Sequence, residues 1–319
     1  MTTAYLTSIN ATDKNKVLQL MEASLQAYQA FNTQDPMDCQ LDGLIPPQGF
    51  EYVDYWTGVD AIFNRDKTLE CYGVVFRTLK APFKYIFAFR GTASFLDVLD
   101  DLGTEKRLFV PFDVTQAVPA QVQVESGFFD VYSDSKSDSQ APTPSMQQQV
   151  FSLLDKYNAS DKPIAELLIT GHSLGSALSE LFTLDVAVSR PKIMASNINF
   201  ACPRVGNSDF VQFYMQQGAQ QDPSRQTLRV QNTYDKVPCV PPTLMGYQHI
   251  PHALLIAFHK DSLLGKFDFL DSHASANYSA VLIAAAKNQQ GVCVDERLPV
   301  GATDFISSQA PNPNTIGLL

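Results

Sequence analysis

The 319-residue chain lacks the sequence features of several protein classes. No apolar run approaches the roughly 20 residues of a membrane-spanning helix, so we expect no transmembrane segment. The first residues carry neither a basic nor an apolar stretch, so we expect no signal peptide and slightly favour the cytoplasm over secretion. Acidic residues outnumber basic ones by 33 to 23, which disfavours nucleic acid as a partner because its phosphates repel a net anion.

Cysteine is also scarce. The five cysteines are scattered without any Cys-x-x-Cys pair, so the sequence predicts neither a zinc site nor the disulfide framework of a small secreted domain. The sequence still allows one or two disulfide bonds. Pro251 would break the helix needed to align His249 and His252 as metal ligands. We therefore expect no metal and no cofactor.

The clearest pattern that is present covers residues 166–175. The run Leu167-Leu168-Ile169 predicts a buried strand, and the apolar residues that follow Ser173 recur at helical spacing. Between the two lies Gly-x-Ser-x-Gly. A strand, a sharp turn and a helix around such a serine are typical of a nucleophile elbow, which places the Leu174 N–H at a helix N-terminus facing a developing oxyanion.

Apolar strands alternate with amphipathic helices along the chain, which predicts a mixed, mostly parallel sheet covered by helices on both faces. We interpret residues 1–319 as a single domain, with an N-terminal helix over 13–31 and a C-terminal tail over 292–319 packed on it. Strands are expected at 69–79, 83–89, 166–170, 198–202 and 228–233, and helices at 146–157, 207–217 and 272–287. Residues 56–64 are ambiguous, and residues 237–258 are apolar and rich in proline.

A serine hydroxyl needs a base to become a nucleophile, and the base needs an orienting carboxylate. In α/β-hydrolases the chain order is serine, acid, histidine. Asp235 fits the acid because it follows the predicted strand 228–233. His172 must point away from its neighbour Ser173, which leaves four histidines in competition for the base: His249, His252, His259 and His273. His273 leads His259 only modestly, from its place at the start of the last helix.

A second oxyanion donor is expected in the loop after an earlier strand, where Thr92 follows Arg90 and Gly91. Arg90 itself is interpreted as structural. The next segment, 93–106, contains an apolar helical face opposite an acidic one. It is either a surface helix packed on the core or a mobile lid that makes transient contact with a lipid surface.

Several segments together resemble the class 3 lipases, which are related to the fungal triacylglycerol lipases and have the α/β-hydrolase fold. The matching segments are Phe89-Arg90-Gly91-Thr92, Val124-Glu125-Ser126-Gly127-Phe128, Gly171-His172-Ser173-Leu174-Gly175, Asn199 to Asn207, Asn232 with Asp235, Gly246 to His249, and Asp271-Ser272-His273 with Tyr278. Glu125 departs from the family's usual histidine, Val98 from a frequent tryptophan, and Cys202 from Gly or Ser.

The resemblance implies Ser173 as nucleophile, Asp235 as orienting acid, His273 as base, and Thr92 with Leu174 as the oxyanion hole. His249 would then be structural. It further implies a serine carboxylic-ester hydrolase, with acylglycerols as the leading substrates. We also expect apolar residues of the segment 240–258 to line an acyl pocket: Val240, Leu244, Met245, Leu254, Leu255, Ile256 and Phe258.

Three alternatives stay open. Two share the chemistry and differ in substrate: a phospholipase A1 and a short-chain or feruloyl esterase. The third is an inactive lipid-binding protein that keeps the fold. In each case the expected partner is a small lipid or ester molecule.

Overall fold

The computed structural model describes residues 11–32, 34–35, 38–59, 69–92, 105–135, 143–217, 227–260, 272–287 and 302–305. The helices in these ranges are α1 (Ala11–Gln29), α2 (Ser126–Ser133), α3 (Met146–Asn158), α4 (Leu174–Ser189), α5 (Ser208–Gln217) and α6 (Ser275–Lys287). The strands are β1 (Phe50–Val59), β2 (Leu69–Thr78), β3 (Lys84–Phe89), β4 (Lys106–Leu108), β5 (Gln123–Glu125), β6 (Glu166–Gly171), β7 (Ala195–Phe200), β8 (Gly206–Asn207), β9 (Thr227–Asn232), β10 (Tyr247–Gln248), β11 (Ala253–Lys260) and β12 (Ala302–Phe305).

Eight of the described strands form one central sheet, in the order β1-β2-β3-β6-β7-β9-β11-β12. The pairs from β3 to β11 are parallel, and the pairs at the two ends of the sheet are antiparallel. The carboxyl ends of the parallel strands therefore lie along one edge, where α/β proteins place their sites. The prediction of a mixed, mostly parallel sheet is confirmed.

Two hydrophobic cores lie on opposite faces of this sheet because side chains alternate along each strand. On β3, Phe87 and Phe89 belong to the core shared with α2 to α5, whereas Ile86 and Ala88 belong to the core shared with α1 and α6. Among the described helices, none combines the length and apolar character needed to cross a bilayer. The central helix α4 is buried along nearly its whole length, so the residues at its start have fixed positions.

The expectation that Leu254, Ile256 and Phe258 line an acyl pocket is wrong, whereas the same expectation for Leu255 stays a prediction. Leu254, Ile256 and Phe258 lie on β11, between β9 and β12, where they pack in the core shared with α1 and α6. Their unbroken apolar run is that of a strand buried on both faces, and the prolines just before it concealed this pattern. In contrast, Leu244 is 99 % exposed on a short 3₁₀ turn.

Part of the segment 56–64, which the sequence leaves ambiguous, lies in the edge strand β1 of the central sheet. Residues 56–64 overlap β1, which begins earlier, at Phe50. A small second sheet has the order β10-β8-β5-β4. Of the tail 292–319, residues 302–305 form the edge strand beside β11, and the remainder lies outside the described residues.

Candidate active site

The turn between β6 and α4 holds Ser173 in a strained conformation. Its φ of 60° and ψ of −129° lie where residues with a side chain are rarely found. A Cβ atom on Gly171 would lie 2.2 Å from the carbonyl oxygen of Gly175. A Cβ on Gly175 would lie 2.3 Å from the carbonyl oxygen of Phe89. Both glycines are therefore required for the turn that places Ser173 at the sheet edge.

The structure brings together the three side chains that the sequence predicted as a triad. His273 Nε2 lies 2.9 Å from Ser173 Oγ, and His273 Nδ1 lies 2.8 Å from Asp235 Oδ2. All three residues are buried. Because a carboxylate only accepts hydrogen bonds, Nδ1 carries the proton of the neutral ring and Nε2 presents a lone pair to the serine hydroxyl. This is the geometry in which imidazole can act as a general base.

Asp235 is itself fixed by two donors. The Val237 N–H donates to Oδ1 over 2.9 Å, and the Tyr278 hydroxyl donates to Oδ2 over 2.8 Å. Tyr278 is in turn oriented by the Asn232 N–H, which donates to its hydroxyl oxygen. These bonds hold the carboxylate in one orientation, with Oδ2 facing Nδ1 of His273.

The Asn232 side chain joins the two segments that flank the base. Its amide donates to the carbonyl oxygens of Phe258 and Ser272, each over 2.8 Å, and its oxygen accepts from the Phe258 N–H. The end of β9, the strand β11 and the residue before His273 are thus connected through a single buried side chain. Neither Asn232 nor Tyr278 stands out in the sequence as a functional residue, although both lie in the segments that resemble the class 3 lipases.

The other histidines in competition for the base lie elsewhere. His249 Nε2 lies 2.7 Å from the Pro238 carbonyl oxygen, to which it donates. His252 is exposed, with a positive φ of 69°. His259 lies on β11 opposite Thr303. The structure thus selects His273, which the sequence favoured only modestly.

The two predicted oxyanion donors follow the neighbouring strands β3 and β6, at this edge of the sheet. Thr92 is half-buried just after β3, and Leu174 is the first residue of α4. Helix-terminal N–H groups have no intrahelical acceptor, and the helix dipole favours negative charge beside them. The role of both residues as oxyanion donors stays a prediction. Residues 93–104 of the predicted lid lie outside the described residues.

Among the described residues, Arg90 makes only structural contacts. Its Nε donates to the Cys71 carbonyl oxygen over 2.7 Å, and a terminal nitrogen lies 2.5 Å from Glu70. Its guanidinium also lies 4.0 Å from the centre of the Phe31 ring. These contacts connect the loop that carries Thr92 to β2, where Cys71 forms a disulfide bond with Cys39.

A sequence model of the class 3 lipases matches residues 86–245, half of the chain. The chain belongs to the class 3 lipase family. Among curated relatives, phospholipase A1-Igamma2 of Arabidopsis thaliana is 30% identical over 179 residues, which cover 53% of this chain and 32% of that protein. Phospholipase A1-II 1 of Oryza sativa is 30% identical over 186 residues, which cover 56% and 44%. The match therefore spans less than half of the length of these relatives.

Solved structures show the same fold. The Lip2 lipase of Yarrowia lipolytica has a TM-score of 0.57 at 16% identity, and the alignment covers 90% of this chain and 92% of that one. A lipase from Rhizopus microsporus var. chinensis has a TM-score of 0.54 at 20% identity, covering 78% and 75%. This class 3 lipase family member therefore has the α/β-hydrolase fold that the sequence predicted.

Glu125, which departs from the family's usual histidine, has a structural role of its own. Its carboxyl accepts from the Phe128 N–H over 2.7 Å and so caps the N-terminus of α2. The side chain is almost completely buried. Burial raises its pKa to about 7; the N–H groups of Phe128 and Gly127 oppose this rise, and nearby Asp130 adds to it.

Proposed function

We propose that the chain is a serine carboxylic-ester hydrolase that cleaves acylglycerols through an acyl-enzyme. The observation that carries this proposal is the buried hydrogen-bonded series Ser173–His273–Asp235 on a strained elbow. Such a constellation serves to activate a hydroxyl for acyl transfer. Membership of the class 3 lipase family supports an acylglycerol as the source of the ester.

In the first half of the reaction, Ser173 Oγ attacks the ester carbonyl carbon while its proton passes to His273 Nε2. The negative charge on the former carbonyl oxygen is stabilised by the N–H groups of Thr92 and Leu174. The tetrahedral intermediate collapses, and the alcohol leaves with the proton from His273. Asp235 keeps the imidazole oriented and stabilises its positive charge throughout.

In the second half, water attacks the acyl-enzyme as it gives a proton to His273 Nε2. The proton then returns to Ser173 Oγ when the fatty acid leaves. Because Asp235 is fixed by Val237 and Tyr278, the ring needs no reorientation between the two halves. Because these groups are already in place, no free energy is spent on reorienting them during the reaction, and the activation free energy is lower.

Substitution of the nucleophile tests the mechanism. We expect Ser173→Ala to lower kcat by roughly 10⁴- to 10⁶-fold, with the fold retained. The matched control is Ser152→Ala, because Ser152 is exposed on α3 and, within the described part of the chain, its hydroxyl donates to the Gln148 carbonyl of the same helix. A fluorophosphonate should label the wild type and the control but not Ser173→Ala. Retained activity in folded Ser173→Ala would refute the mechanism, and absent labelling of the wild type would favour an inactive lipid-binding protein.

A phospholipase A1 is the second candidate, because the curated relatives described above carry that name. The two are distinguished by rates on emulsified triacylglycerol and on phosphatidylcholine, with p-nitrophenyl esters of increasing acyl length beside them. Preference for triacylglycerol supports the first proposal, and release of the sn-1 fatty acid from phosphatidylcholine supports the second. Activity confined to short soluble esters would overturn both in favour of an esterase.

Contact with a lipid surface through residues 93–106 stays part of the proposal. Activity should then rise sharply when the substrate exceeds its solubility limit. A smooth saturation curve across that limit would contradict a lid.

The Cys39–Cys71 disulfide supports an oxidising compartment, because such bonds persist there and are rare in the cytosol. The slight preference for the cytoplasm stays untested, and we propose the oxidising compartment in its place. Thiol alkylation of the chain from its native source, with and without prior reduction, tests this proposal.

A further inference from the structure

His273 is held by its main chain as well as by its ring. Its carbonyl oxygen lies 2.9 Å from Nε2 of His172, and Nδ1 of His172 lies 2.9 Å from the Tyr28 hydroxyl. The preceding carbonyl, that of Ser272, accepts from Asn232. Two consecutive carbonyls are thus fixed, so the backbone that carries the imidazole has little freedom to rotate.

The chemistry of the partners fixes the direction of these bonds. A carbonyl oxygen only accepts, so Nε2 of His172 must carry a proton. Burial, together with the neighbouring His273, lowers the pKa of His172 well below its usual value, so the ring is neutral. Nδ1 is then a bare acceptor, and it takes its hydrogen bond from the Tyr28 hydroxyl. The His273 carbonyl therefore selects the tautomer of His172, and the Tyr28 hydroxyl is the donor to the nitrogen that this tautomer leaves without a proton.

The same hydroxyl also contacts the loop of the predicted oxyanion donor. The Gly91 N–H lies near the Tyr28 oxygen and opposes the rise that burial causes in the pKa of Tyr28. A Cβ atom on Gly91 would lie 2.2 Å from that oxygen and 2.5 Å from the His172 carbonyl oxygen. Only glycine therefore leaves room for the Tyr28 hydroxyl at this place. The hydrogen bonds thus run from Tyr28 through His172 to the backbone of His273, beside Gly91.

The helix α1 that carries Tyr28 is firmly attached to the sheet. Lys16 Nζ lies 2.9 Å from Glu166 on β6, and the Thr170 hydroxyl donates to the Leu20 carbonyl oxygen over 3.2 Å. The disulfide bond between Cys39 and Cys71 ties the segment after α1 to β2. Tyr28 is therefore presented from a fixed position, although α1 precedes the region matched by the family model.

We propose that Tyr28 and His172 are positioning residues that fix the backbone of His273 so that its Nε2 meets Ser173. Neither acts on the ester; both act through His273. The proposal rests on the proposed function, in which His273 is the base. It gives α1 a part in catalysis beyond covering the sheet.

The primary test is Tyr28→Phe, which removes only the hydroxyl. We expect kcat on a soluble p-nitrophenyl ester to fall roughly tenfold while KM changes less than about twofold, because the base is displaced and substrate binding is not. The matched control is Tyr85→Phe. Tyr85 is buried and donates to the Lys162 carbonyl oxygen over 2.7 Å, but it lies near the start of β3, far along the strand from the elbow.

A double-mutant cycle shows whether Tyr28 acts through His172. In a His172→Leu background, Tyr28→Phe should lower kcat by less than about twofold, because the bond it removes is already lost. His172→Gln should retain more activity than His172→Leu, since an amide N–H can still donate to the His273 carbonyl. If His172→Leu does not fold, His172→Gln serves as the background, and a reduced effect of Tyr28→Phe is expected there too.

The proposal is overturned if Tyr28→Phe leaves kcat unchanged, if Tyr85→Phe lowers kcat equally, or if the effects of Tyr28 and His172 multiply in full. Failure of the proposed function gives a different result. In that case Ser173→Ala retains activity or Ser173 is not labelled by a fluorophosphonate. A labelled, active wild type with an unaffected Tyr28→Phe variant contradicts the positioning role alone.

Discussion

Glu125→Gln should stabilise the protein at alkaline pH and leave it unchanged at acidic pH. The carboxyl of Glu125 is almost completely buried, and its pKa is raised to about 7. An amide has nearly the shape of a protonated carboxyl, and its oxygen can still accept from the Phe128 N–H. The variant therefore keeps the cap of α2 and removes the cost of a buried charge.

The magnitude follows from the pKa difference between the folded and unfolded states. The ordinary value is 4.5, so the folded state binds the proton more tightly by about 2.5 pKa units, or about 3 kcal/mol at 1.36 kcal/mol per unit. At pH values between 4.5 and about 7, this group binds fewer protons in the unfolded state than in the folded state. Stability from this group is thus present below the unfolded pKa and is lost as the pH rises through about 7. That loss is a large part of a typical total of about 5–15 kcal/mol.

Urea unfolding of both forms at about pH 4, below the unfolded pKa, and at about pH 8 measures the effect. We expect equal free energies of unfolding at the lower pH and a variant more stable by about 2–3 kcal/mol at the higher pH. Glu166→Gln is the control of opposite sign. Burial raises the pKa of Glu166, but Lys84 and Lys16 outweigh burial and leave this pKa lowered. That variant should lose about 0.5–1 kcal/mol at neutral pH. A Glu125→Gln difference independent of pH would refute the reasoning.

Two further predictions concern the scaffold. Cys39 and Cys71 are 32 residues apart, so reducing their bond should lower the free energy of unfolding by about 3–4 kcal/mol; urea unfolding with and without reductant measures this loss, and a Cys39→Ser variant whose stability equals that of the oxidised wild type would contradict it. Gly175→Ala forces a Cβ to 2.3 Å from the Phe89 carbonyl oxygen, so we expect a lower Tm and lost activity. An unchanged Tm by calorimetry would show that the elbow does not need this glycine.

The reactive residues could be predicted because each is adjacent to a local pattern. Ser173 lies between a strand and a helix, and Asp235 follows a strand end, so chain order and spacing indicate both. The choice of His273 over His259 needed the structure, because the relevant contact joins residues 100 positions apart. No local spacing encodes such a contact.

The sequence does not indicate the hydrogen bonds that hold the triad residues in position. Tyr28 and His172 are 144 positions apart, and Tyr28 looks like any partly buried residue of an amphipathic helix. The sequence excludes His172 as a base because its ring must point away from the neighbouring nucleophile. The structure shows that the ring points at the backbone of the base. The β11 strand was missed for another reason, since its apolar run follows directly on a proline-rich turn.

The catalytic unit is consequently larger than the segment that identifies the family. Residues 86–245 include Ser173 and Asp235 but end before His273 and begin after Tyr28. The base depends on Asn232 and His172 within that segment and on Tyr28 and Tyr278 outside it. Because each of these hydrogen bonds connects elements distant in sequence, the helices α1 and α6 at the two ends of the fold belong to the site as much as the elbow does. A fragment limited to the matched region would keep the nucleophile and lack the base that activates it.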